Sequence, residues 1–111
     1  MAHCKIKMPL DRIKALYGMY TIVVMQCESH INDNLLFAHA EDMQHHLKIM
    51  VAKGNLNNSL AFTKKEAIAF EAIWRMELLN MDQWHEEIIR SCLSKVNKFL
   101  ADTKAQTINL N

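Results

Sequence analysis

The sequence predicts an all-α protein, an antiparallel bundle of three to four helices over about 9–29, 32–53, 63–80 and 82–103 with short non-helical ends. Three observations carry that expectation. The 111 residues include only two Gly and one Pro, so there is little material for tight hairpin turns. Leu, Ala, Met, Lys and Glu, all good helix formers, recur throughout. Apolar residues fall at spacings of three and four across two long stretches, 9–53 and 62–104, as a helix buried along one stripe requires.

The opening Cys4-Lys-Ile-Lys-Met8 alternates apolar and basic residues and stops at Pro9, whose fixed φ and missing donor suit the first turn of a helix. Leu10, Ile13, Leu16, Tyr20, Val23 and Cys27 then form the stripe of the first helix. Met19, Ile22, Val24 and Met25 lie outside that stripe, so the second half of the helix is expected to be covered on two sides, by the bundle or by another subunit. Tyr20-Thr-Ile-Val-Val24 also favours strand, but its flanks offer no turn chemistry, so helix is retained.

Ser29, Asn32, Asp33 and Asn34 accumulate where a second helix would need side-chain acceptors at its start. Leu36, Met43 and Met50 recur every seven residues, and Ala40 and Leu47 fill the complementary positions of a packing seam. Lys53-Gly54 has the chemistry of a helix end, and Gly54 to Leu60 reads as one long loop. Thr63 and Glu66 have the spacing of a capping box at the start of the third helix. Its apolar residues form two adjoining faces, Ile68, Ala69, Ala72, Ile73, Met76 and Leu79 beside Phe70, Trp74, Leu78 and Met81. Asn80 with Gln83 offers a cap for a further helix, although no Gly or Pro forces a break, so 63–103 is either two helices or one rod; the turn is preferred because four helices of similar length close a core. Ile88, Ile89, Cys92, Val96, Phe99 and Leu100 are the buried stripe of the last helix. The tail Gln106 to Asn111 alternates and is expected to be loose or to pair as an edge strand with Cys4, Ile6 and Met8. No internal repeat is apparent.

The chain is read as one domain over 1–111, large enough to bury a core without metal or disulfide. Its 13 basic and 12 acidic residues nearly cancel, so nucleic acid and anionic membrane are unlikely partners; the local cluster Lys5, Lys7, Arg12 and Lys14 is the exception. Three cysteines without a Cys-x-x-Cys pair or a secretory leader point to the cytoplasm. The most apolar stretch, Met19 to Met25, is far shorter than the roughly 20 residues of a membrane span.

No motif for catalysis emerges. The chain lacks a glycine-rich phosphate loop, and Cys92 falls in a buried stripe two turns from His85, too far for a nucleophile and its base. The expectation is a protein that is not an enzyme and needs no cofactor: a helical adaptor, regulator or inhibitor that binds a protein partner or its own copies. Tyr20, Met25, Trp74 and Trp84 are the expected interface residues, being large side chains in excess of what one partner face can cover. The alternative is a metal-binding bundle. Asp42 and His46, one helical turn apart, can reach a single zinc or other transition ion, with His85 as the third ligand. The Glu-x-x-His pairs of di-iron bundles and His-Glu-x-x-His are both absent. A weaker alternative is a nucleic-acid accessory subunit that uses the basic start of the chain.

Overall fold

The computed structural model describes residues 3–27, 34–77 and 79–109, and the side chains of all of these except 34 and 104–109. In chain order the elements are β1 (Cys4–Pro9), α1 (Leu10–Cys27), α2 (Asn34–Lys53), β2 (Asn57–Phe62), α3 (Lys64–Arg75) and α4 (Gln83–Asn109). The protein is mostly helical, with four helices and a two-stranded sheet, so the all-α expectation needs one correction. β1 and β2 pair antiparallel, Cys4 opposite Phe62, Ile6 opposite Leu60 and Met8 opposite Asn58.

That ribbon overturns two expectations. The segment expected to be loop from Gly54 to Leu60 contains most of β2, and β1 takes β2 as its partner rather than the tail, whose backbone is helical to Asn109. The reason is burial. Cys4, Ile6 and Met8 of β1, with Leu60 and Phe62 of β2, turn to one side and are buried, and α1, α3 and α4 cover them. A two-stranded pair is marginal in water but gains stability when a helical layer takes up its apolar face.

The helices follow their local signals. α1 runs straight through the strand-favouring Tyr20–Val24 stretch, burying Ile13, Leu16, Met19, Tyr20, Val23, Val24 and Cys27. Ile22 and Met25 are exposed, so only part of the second apolar face is covered. On α2 the seam residues Ala40, Met43 and Leu47 are buried and Leu36 and Met50 pack at its edge. The helix closes at Gly54, whose φ of +66° and N–H bond to the Met50 carbonyl (3.2 Å) make the left-handed ending expected of it. The polar cluster expected to start this helix lies outside the described residues, apart from the backbone of Asn34.

α3 begins with the expected capping box: the Glu66 N–H donates to Thr63 Oγ1 (3.2 Å) and the Thr63 N–H to Glu66 Oε1 (2.9 Å). It ends at Arg75, five residues short of expectation, with Glu77 at φ +51°. The chain then turns and α4 starts afresh, so 63–103 is two helices. The cap of α4 is Asp82 rather than the expected Asn80: Asp82 Oδ1 accepts from the His85 N–H at 2.9 Å. Inside, Phe62, Phe70, Trp74 and Tyr20 form a continuous aromatic run. Phe62 lies 5.2 Å from Phe70, and Tyr20 stacks on Phe70 at 6.0 Å and meets Trp74 at 6.2 Å between ring centroids.

Candidate nucleic-acid interface

The inner face of the ribbon is committed to the core, which leaves its outer face to solvent. Along β1 burial alternates residue by residue, so Lys5 and Lys7 stand outward between Cys4, Ile6 and Met8. Opposite them on β2, Ala61 pairs with Lys5 and Ser59 with Lys7, both exposed, and Asn57 faces Pro9 at the end of the ladder. Lys7, Pro9, Asn57 and Ser59 line a shallow hollow of about 510 Å³ with Met8 and Asn58. No Asp or Glu occurs in either strand. Both strands run directly into helices whose first turns add exposed Arg12 and Lys14 on α1 and Lys64 and Lys65 on α3.

The ribbon and the starts of the two helices that follow its strands thus carry six exposed basic residues, Lys5, Lys7, Arg12, Lys14, Lys64 and Lys65, against Asp11 and Glu66. Glu66 is buried at 5 % exposure, and its carboxylate is occupied by the capping box and by His46 Nδ1 at 3.4 Å. The near-neutral total conceals this segregation, because a sum over the chain discards position.

The residues expected to bind metal are not brought together. Asp42 is exposed on α2, His46 faces Glu66, and His85 Nδ1 lies 2.7 Å from Asp82 Oδ1 at the start of α4. α2 packs on α1 and α3, whereas α4 packs on α3, α1 and β1. Among the described residues no three His, Cys, Asp or Glu side chains converge on a position where they could hold a metal. Hydrogen bonds, first from the His85 N–H and then from its ring, hold the exposed Asp82 carboxyl below the usual carboxylate range.

Of the expected interface residues, Tyr20 and Trp74 are core. They are 0 % and 7 % exposed, and Tyr20 Oη and Trp74 Nε1 find no hydrogen-bond partner among the described residues. Burial pushes the Tyr20 phenol up, with Cys27 and Glu66 adding to the effect. Met25 and Trp84 are on the surface, Trp84 edge-on to the His85 ring at 4.9 Å. A cleft of about 600 Å³ at the α3–α4 turn is lined by Trp74, Leu79, Met81, Ile89 and Leu93, with Glu77, Glu86 and Arg90 at its polar side. The three cysteines are buried, and burial pushes the Cys92 thiol up to about 12.

The outer face of the ribbon escaped the sequence reading because β2 did. The Lys-x-Lys alternation in β1 was a visible signal, but it needed a paired strand beside it to define a surface. No protein-family model, curated protein or solved structure matches the chain. No helix among the described residues is long and apolar enough to cross a membrane.

Proposed function

We propose that this chain is a non-enzymatic binding module for duplex DNA, with the outer face of the β1–β2 ribbon as its contact surface in the major groove. The observation that carries the reading is the outward pair Lys5 and Lys7, set beside Ser59 and Asn57 on a ribbon whose other face is buried. Strands about 4.8 Å apart make a ribbon that enters a major groove about 12 Å wide. Lysine and serine are side chains that contact phosphate oxygens and base edges there. A-form RNA is the poorer fit for such a ribbon, because its deep, narrow major groove does not admit side chains.

Fluorescence anisotropy of a labelled 25-base-pair duplex tests this. Binding weakens with salt, and Lys5→Ala/Lys7→Ala lowers the log–log salt slope by about 1.8, since each lost phosphate contact removes about 0.9. Binding that ignores both salt and the double substitution refutes the reading. Both positions are exposed, so circular dichroism of the variant should match that of the parent.

Contact with a protein partner or with a second copy is a second reading. It is supported by the exposure of Met25 (72 %) and Trp84 (45 %), and light scattering on the purified chain tests its self-associating form. Zinc or another transition ion held by Asp42, His46 and His85 draws no support from their separate placement.

A further inference from the structure

Ile6 stands opposite Leu60 in the ribbon, and a two-fold axis through that pair carries β1 onto β2 to within one residue. The same shift along the chain carries Leu10, the first residue of α1, onto Lys64, the first of α3. It also carries buried positions onto buried positions: Ile13 onto Ala67, Leu16 onto Phe70, Met19 onto Ile73 and Tyr20 onto Trp74. The last two equivalent rings, Tyr20 and Trp74, touch one another at 6.2 Å, as residues beside an axis do. The second helices correspond too. Carrying Asn34, the start of α2, onto Gln83, the start of α4, places the buried Ala40, Met43 and Leu47 on the buried Ile89, Cys92 and Val96. Across the axis α2 packs on α3 and α4 packs on α1, and α4 alone of the second helices also packs on the ribbon. The chain is two β-α-α units joined end to end, each covering the apolar face of the other. The arrangement resembles an isologous dimer made within one polypeptide.

The two units are not equal where they face solvent. The axis that exchanges the strands takes Lys5 to Ser59 and Lys7 to Ala61, so the charge of the outer face lies wholly on β1. We infer that a single copy of this chain occupies the DNA groove, gripping the duplex through β1 and reading a site without a dyad. This rests on the DNA reading above. Dimeric ribbon and helix readers present two identical halves and so select palindromic half-sites. A chain that carries both halves itself needs no second copy, and Lys on one strand against Ser and Ala on the other imposes no palindrome.

Moving the charge across the axis tests the inference. Lys5→Ala/Lys7→Ala should reduce the fall in affinity for a 25-base-pair duplex between 50 and 200 mM salt by about tenfold. Adding Ser59→Lys/Ala61→Lys to that variant should restore the parent's affinity and slope, because the new lysines occupy the axis-related positions. Native mass spectrometry should find one chain per duplex, and sites selected from a random-sequence pool should lack inverted repeats. Failure of the transplanted lysines to rescue, two chains per duplex, or palindromic selected sites would each overturn the inference while leaving DNA binding intact. If the parent binds no duplex at low salt, the DNA reading itself falls, and the inference with it.

Discussion

Gly18 occupies an exposed position in the middle of α1, and a Cβ built there meets no atom within 4 Å. Its φ is not left-handed, so nothing in the fold requires glycine. Gly18→Ala should therefore stabilise the protein by about 0.5–1 kcal/mol, chiefly by restricting the unfolded chain. Thermal unfolding followed at 222 nm checks it, with a rise of several degrees expected. Other single residues were legible without coordinates. Thr63 and Glu66 form the box their spacing implies, and Gly54 adopts the conformation that closes α2. Tyr20 and Trp74 were not legible in the same way. Large amphipathic rings serve cores and interfaces alike, and only the opposing Phe70 ring, which both of them meet, decided for the core.

At the scale of elements, the start of α4 depends on Asp82. Its carboxylate accepts the His85 N–H and faces the His85 ring, and these hydrogen bonds hold its carboxyl below the ordinary value of 3.8. A carboxyl depressed in the folded state contributes stability above its unfolded pKa and loses it as pH falls through the folded one. The destabilisation caused by Asp82→Ala at pH 7 should therefore shrink steadily below about pH 3.8, as seen by denaturant titration at a series of pH values. A difference that stays constant down to pH 2 would contradict this. The sequence pointed to a turn at this junction because four helices of similar length close a core, yet it offered Asn80 as the cap where Asp82 serves. Cap choice depends on where α3 stops, and that is set by Glu77 turning left-handed after Arg75.

For the molecule as a whole, Ile6 and Leu60 face one another in the ribbon, on the side the helices cover. Ile6 is 2 % exposed and Leu60 1 %. Truncating Ile6 to Ala removes buried volume at the joint of the two halves, and a loss of about 2–5 kcal/mol is expected, measurable as a lowered urea midpoint. Lys7→Ala, one residue along on the outer face, should leave that midpoint nearly unchanged. The contrast between neighbours separates the face that holds the fold from the face turned to solvent. That the chain is mostly helical, and where its helical segments lie, was determined by the sequence alone, because a 3.6-residue apolar period is written within each segment and needs no distant partner; that 63–103 is two helices was decided by the turn at Glu77. The ribbon, the repeat and the charged face were decided only in three dimensions. Asn57, Asn58 and Ser59 have little strand preference and pair with residues roughly fifty positions away, and the two halves share burial rather than residue identity. Pairing and symmetry are relations between distant segments, so they arise only when both apolar faces close over one core.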